Sequence, residues 1–441
     1  MKKNILLIGD PIVDEFLPDL CMIKSDYKVS HIYALNINSI HQKLIEKNNI
    51  EVIYGFHNYT ELKLTEFDDQ TIENENLNIE KFNSIKSLYR FFDNRDFFSN
   101  EAIYYELCNY WISFFKNNNI DLIISPRPSS LETLPVIIAK NFFEIKILTR
   151  MGLLRNLTKG TWQNCIMDES NKKFINFNIE KHLEIQELLF TKNRIKRKFS
   201  IPRFYKIILK NLFNLKISSV LQNLSSLFYF FEFKKYLKKN CVDPNLNKKY
   251  IFYSMHFDPE STTTPYEDVA ANQLLNIRKL SCAMPEDWEV YVKFHPAQIN
   301  YKFNFTPYEC YGNVLTFFKS TESIDYLTNL KNVKIIRTEY SQKKLIENSQ
   351  AISAICGSVF LEASAMNMPI FVFGKKTIYN TFSNSFNSDS IEKIKSTLNN
   401  LMNEKNEIPR SNYESIMRGY TYSSGVKKIQ IVNSILNYVR N

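Results

Sequence analysis

Glycine is scarce in this chain, with nine in 441 residues, so each glycine at a turn carries more information than usual. Tryptophan occurs three times and cysteine seven. The cysteines, at 21, 108, 165, 241, 282, 310 and 356, are scattered and odd in number. No two form a CxxC pair, which argues against a thiolate metal site, a redox motif or a disulfide framework and for a reducing, cytoplasmic compartment. No uncharged run reaches the roughly 18 residues that a membrane span needs. The opening Met1-Lys-Lys-Asn-Ile-Leu-Leu-Ile-Gly-Asp10 has basic residues before an apolar run, but the run is too short for a signal peptide and reads as a buried first strand. No DxD motif follows a strand, and Asp68-Asp69 falls in an acidic, solvated stretch, so no metal is expected. Internal repeats are lacking.

What the chain does have is an ordinary globular balance, 44% hydrophobic and 23% charged, on a length beyond one hydrophobic core. The net charge of +10 is local: residues 181–240 hold fourteen Lys or Arg against three Glu, leaving the remainder near neutrality. That segment predicts helices over 180–199 and 203–239, apolar on one face and basic on the other. It is either a surface for anionic lipid headgroups or a connector whose apolar face packs on its own domain. No nucleic-acid motif accompanies the charge.

Short apolar strands alternate with helical spacing. Strands are predicted at 4–9, 29–35, 50–56, 121–125, 145–148, 250–254, 288–294, 333–337, 352–356 and 369–373. Helices are predicted at 39–47, 80–92, 100–117, 131–142, 267–284, 322–329, 341–348, 358–366, 390–403 and 426–439. Residues 10–28 receive no element. The alternation argues βαβ units and parallel sheets. The division is 1–175 as an N-terminal Rossmann-like domain, 176–247 as a basic helical insert, and 248–441 as a C-terminal Rossmann-like domain ending in a crossing helix.

Ligands of open α/β sheets bind outside the carboxyl ends of the strands. Three predicted ends carry polar residues. After the first come His256, Glu260, Thr262 and Thr263, whose hydroxyls suit phosphate or a sugar carboxylate. After the second come Lys293, His295 and Pro296, where strand alternation aims Lys293 and His295 the same way, as a point charge and a donor for phosphate. The third opens a helix with Gly357-Ser358, with Glu362 one turn deeper and able to accept from ribose hydroxyls. Ser358 serves equally as a plain N-cap. In the N-terminal domain, Asp10, Ser125 and Arg150 close predicted strands along one edge. Asp10 and Glu132 are candidate bases there, and Arg127 and Arg150 could hold a carboxylate bidentately.

The series His-x-x-Pro-Glu-x-Thr-Thr-x-Pro from 256, Tyr-Val-Lys-x-His-Pro from 291, Gly-Ser-x-x-x-Glu-Ala from 357 and Met-Pro-Ile-x-x-x-Gly from 368 resembles the bacterial capsule and surface-polysaccharide biosynthesis proteins. These are similar to GT-B glycosyltransferases that use CMP-activated 2-keto sugars, Kdo and the sialic-acid-like nonulosonates. The resemblance is strongest over 250–374 and fainter over 121–152, where Pro126-Arg127-Pro128 stands in place of a Pro-His-Glu-like sequence. It implies two Rossmann-like domains facing across a crevice. His295 and Ser358 would contact the CMP phosphate, with Lys293 and Glu362 supporting. No cofactor beyond the donor substrate is implied. The acceptor would be a glycan or glycolipid, and the basic segment would hold the enzyme at the inner membrane. The competing expectations are a UDP- or GDP-sugar donor, a non-catalytic assembly subunit of the same shape, and an epimerase-like enzyme that needs no acceptor.

Overall fold

The structure is a computed structural model and describes residues 2–34, 37–54, 81, 85, 97–126, 130–155, 162–177, 228, 231–258, 267–299, 320–402, 409–423 and 428–440. The chain divides into two compact units: the first takes the described residues up to 177 and those from 414 onward, the second those from 228 to 413. Both are α/β, with helices connecting the strands of a mainly or wholly parallel sheet, as the sequence pattern requires.

The first unit runs β1 (Lys3–Ile8), α1 (Asp10–Met22), β2 (Tyr27–Ala34), α2 (Ser39–Lys47), β3 (Glu51–Tyr54), α3 (Phe97–Asn117), β4 (Leu122–Pro126), α4 (Ser130–Phe142), β5 (Lys146–Arg155), β6 (Trp162–Asp168) and β7 (Lys173–Phe174). The sheet order is β14-β6-β5-β4-β1-β2-β3, parallel from β3 to β5. Strand β6 then returns antiparallel along β5 and pairs β14 (Tyr422–Ser423) on its far side.

Helix α1 occupies the interval to which the sequence pattern assigns nothing. Pro18 inside it argues against a helix, because proline removes the N–H that would bond the carbonyl of residue 14. Here that carbonyl, on Asp14, accepts instead from the Lys428 ammonium at 3.1 Å. The chain's last helix, 428–440, thus supplies the partner that the proline withheld. Ile431, Val432, Ile435 and Leu436 pack in one core with Ile12, Phe16 and Ile166, and Tyr438 donates to Asp168 at 2.9 Å.

The second unit runs β8 (Tyr250–Ser254), a 3-10 turn (Asp268–Ala271), α5 (Gln273–Ala283), β9 (Glu289–Lys293), α6 (Pro296–Ile299), α7 (Thr321–Thr328), β10 (Val333–Ile335), α8 (Gln342–Glu347), β11 (Ala351–Ala354), α9 (Val359–Ala365), β12 (Ile370–Val372), β13 (Ser385–Asn387) and α10 (Ile391–Met402). Its six strands are all parallel in the order β10-β9-β8-β11-β12-β13. The first strand lies in the middle and the direction of winding reverses between β8 and β11. That reversal is the switch point where such sheets leave room for a ligand. Helices α11 (Tyr413–Tyr420) and α12 (Lys428–Arg440) close the chain.

Most of the basic segment lies outside the described residues. At its described end, helical residues 231–240 bury Phe233 and Leu237, four apart, in the core of the second unit, while Phe231 and the four lysines 234, 235, 238 and 239 stay exposed. At this end the apolar stripe packs on its own unit. Among the described residues no helix is long and apolar enough to cross a membrane.

Candidate functional site

Three carboxyl ends sit side by side in the second unit because β8 pairs β9 on one flank and β11 on the other. Ser254 lies opposite Lys293, and Met255 N–H donates to the Lys293 carbonyl at 3.0 Å. Across the switch point, Cys356 N–H donates to His256 Nε2 at 3.2 Å. An imidazole nitrogen that accepts carries no proton, so this bond assigns His256 as neutral with its proton on Nδ1. The ring also explains Gly357. Its φ of +114° is a conformation that side chains rarely adopt, and a Cβ would lie 3.2 Å from His256 Cε1.

The backbone leaving β8 is clamped by two glutamines. Gln273 Oε1 accepts from His256 N–H at 2.7 Å, and its Nε2 donates to the Asp258 carboxylate at 2.6 Å and to the His256 carbonyl at 3.2 Å. Gln298, on α6, accepts from Asp258 N–H at 3.0 Å and returns a bond to the Asp258 carbonyl at 3.3 Å. All three side chains are buried. Glutamine and aspartate in a loop and on two helices give no periodic signal, and the sequence reading passes over them. The clamp leads into Glu260, Thr262 and Thr263, which lie outside the described residues.

Lys293 and His295 differ in burial, and strand alternation does not span both. The strand ends at Lys293, so its period of two does not carry through to His295. Lys293 is 6% exposed and donates to the Tyr340 carbonyl at 2.7 Å, while His295 is exposed, its ring 6.2 Å from that of Phe257. Pro296 opens α6, where a missing N–H costs nothing. Ser358 stands before α9 but makes no capping bond, which removes the plain N-cap reading. Glu362 is buried on α9 and accepts from Gln342 Nε2 at 3.1 Å, the partner that a carboxylate among apolar neighbours requires.

A further residue, Glu267, emerges only in three dimensions. The sequence places it at a helix start. It does precede the 3-10 turn Asp268–Ala271, with the α-helix following from Gln273, but its side chain makes no cap: the buried carboxylate accepts from the backbone N–H groups of Lys375 at 2.6 Å and Lys376 at 3.3 Å. Just before them sits Gly374, where a Cβ would stand 2.5 Å from the Ile355 carbonyl oxygen and 3.3 Å from Glu267 Cδ. The rare glycine was the signal in the sequence; its partner was not.

In the first unit, Asp10 begins α1 directly after β1, and Ser125 is fully buried on β4 with its hydroxyl bonded to the Pro126 carbonyl at 2.9 Å. Arg150 does not end its strand as expected. The antiparallel pairing of β6 carries β5 on to Arg155, which leaves Arg150 between Pro126 and Ile166. Its guanidinium pairs with the buried Glu15 carboxylate at 2.7 Å. Burial pushes the Glu15 pKa above its ordinary value, against the lowering pull of Arg150, and the buried Tyr422 hydroxyl lies beside the pair. Glu132 falls on α4, but its side chain, like Arg127, is outside what is described. Among the described residues no three His, Cys, Asp or Glu side chains gather as metal ligands.

No family model matches this chain, and no curated protein matches it. Solved structures do. One is the UDP-GlcNAc 2-epimerase of Methanocaldococcus jannaschii in complex with UDP-GlcNAc and UDP, at 14% identity and TM-score 0.29 over 99% of this chain and 100% of that one. Another is a glycosyltransferase of Rickettsia africae, at 11% identity and TM-score 0.29 over 100% and 99%. A third is KpsC of Thermosulfurimonas dismutans, a β-Kdo 2,4 transferase, at 12% identity and TM-score 0.30 over 74% and 88%.

Proposed function

We propose that this chain is a glycosyltransferase that moves an acidic 2-keto sugar, of the Kdo or nonulosonate kind, from a CMP donor to a surface glycan or glycolipid. The observation that carries the reading is the meeting of His256, Lys293–His295 and Gly357-Ser358 along one edge of a parallel sheet at its switch point. The sequence resemblance falls on those same turns. In this reading His295 and Ser358, one exposed and one without a capping duty, contact the donor phosphate. His256, Lys293 and Glu362, each engaged by a neighbour, shape the pocket, and Glu260, Thr262 and Thr263 complete it.

The acceptor side belongs to the first unit. Asp10 and Glu132 are its candidate bases for deprotonating the acceptor hydroxyl. Arg127 is the candidate for the sugar carboxylate; Arg150 could serve it only by sharing its charge with Glu15. Charge on the departing CMP is met by side chains, without a divalent cation. The protein acts in the cytoplasm and rests against anionic lipid through residues 181–240.

Thermal-shift titration of the whole protein with CMP, UDP and GDP tests the donor, since a ligand that binds only the folded state raises the melting temperature. CMP should give the largest rise, and His295→Ala should weaken it by about 10- to 100-fold, the worth of one charge-assisted hydrogen bond. A larger rise with UDP or GDP would reassign the donor. Turnover of a CMP-activated sugar that stops with EDTA and returns with magnesium would refute the metal-free mechanism.

A further inference from the structure

We propose that the turn Gly374–Lys376 is an anion-binding element of the same edge, with Lys375 the ligand to anionic oxygen and Glu267 the residue that positions it. The proposal rests on the nucleotide-sugar reading of the second unit.

Surface turns usually leave their backbone groups to water. This one does not. Gly374 N–H donates to the Ile355 carbonyl at 2.9 Å, the next two N–H groups go to the Glu267 carboxylate, and Asn380 Nδ2 donates to the carbonyls of Gly374 at 2.8 Å and Lys375 at 3.2 Å. Gly374 permits this, since any Cβ would strike the Ile355 carbonyl. The carboxylate doing the holding is only 2% exposed.

The use made of that carboxylate is informative. The Glu267 carboxylate, more than a hundred positions earlier in the chain, accepts from the backbone N–H groups of Lys375 and Lys376 and so holds the turn rather than one side chain's tip. The Lys375 side chain is exposed, with no ion pair or hydrogen bond to the described residues. Because β12 pairs directly with β11, the turn opens one strand over from Gly357-Ser358, on the same edge. A lysine on a fixed backbone beside that turn is a point charge suited to phosphate or to a sugar carboxylate, the two anionic groups of the proposed donor. The two N–H groups offset the cost of burying that carboxylate, so the turn is held in one conformation. Serving a ligand accounts for an exposed lysine on that fixed turn with no partner among the described residues.

The experiment is calorimetric titration of the full-length protein, wild type and Lys375→Met, with cytidine, CMP and a CMP-activated acidic sugar. Methionine keeps the stem and removes the charge at an exposed site, so the melting temperature should stay within about 1 °C. Loss of about tenfold or more in CMP affinity, with cytidine unchanged, supports the proposal and names phosphate as the ligand. Loss confined to the sugar-bearing donor also supports it and names the carboxylate. Equal binding of all three ligands by Lys375→Met and a competent wild type overturns it. Glu267→Ala should reproduce the loss although Lys375 is present, and Glu267→Gln, which keeps an acceptor oxygen, should restore part of it. If the wild type prefers UDP or GDP, the CMP assignment fails while the turn is judged with that nucleotide in the same way. If no nucleotide binds, both fall.

Discussion

Replacing Gly374 by alanine adds one methyl group where the structure has no room. The added Cβ would lie 2.5 Å from the Ile355 carbonyl oxygen, a backbone atom that cannot rotate away, and 3.3 Å from Glu267 Cδ. An ordinary carbon–oxygen contact needs roughly 0.7 Å more, so the end of β12 must move away from β11. That movement strains a packed site, worth about 1–3 kcal/mol. It also stretches the Gly374 N–H bond to Ile355 and the Phe373 N–H bond to Ala354, at 2.9 and 3.0 Å, each contributing about 0.5–1.5 kcal/mol. The expected loss is about 2–4 kcal/mol. For a unit of this size that lowers the melting temperature by roughly 4–15 °C. The assay is thermal unfolding of the whole protein with amide exchange read at β11 and β12; exchange in the first unit should not change. A variant that melts within about 1 °C of wild type, with protected amides at 373 and 374, would refute the packing argument.

Three further perturbations follow from single contacts. His256→Leu leaves the buried Cys356 N–H without its acceptor and should cost about 1–3 kcal/mol in denaturant unfolding; a change below about 0.5 kcal/mol would mean water replaces the ring. Lys428→Met removes the donor to the Asp14 carbonyl, which Pro18 cannot bond, and should destabilise the first unit by about 0.5–1.5 kcal/mol; adding Pro18→Ala should recover most of this, and a double variant no better than the single would break the link. Glu15 has a folded-state pKa raised above its ordinary 4.5, by burial first of all. The folded chain therefore holds that proton more tightly than the unfolded chain. The stability it contributes is complete below about pH 4.5 and is lost as pH rises through the folded value. The unfolding free energy of wild type minus that of Glu15→Gln should fall with rising pH across that window and then level; a difference that rises would overturn the assignment.

The sequence by itself carried the repeating units. Apolar runs such as Ile5–Ile8, Leu122–Ile124 and Tyr250–Tyr253 must be buried on both faces, and helical spacing between them leaves a parallel sheet as the economical way to cover them. It also placed His256, His295 and Gly357 at strand ends, because turn residues after apolar runs are local signals. It did not carry the antiparallel edge of β6 and β14, since short strands with mixed polarity have no period to read. Helix α1 was hidden by Pro18, whose lost bond to the Asp14 carbonyl is made good by Lys428, 414 positions from Asp14 along the chain. Only the tertiary structure decided that Lys293 donates to the Tyr340 carbonyl, that Ser358 makes no side-chain capping bond, and that Glu267 serves the backbone of a turn more than a hundred residues later. A residue's type and spacing limit the bonds it can make, but which bond it makes depends on a partner that only the folded chain brings within 3 Å.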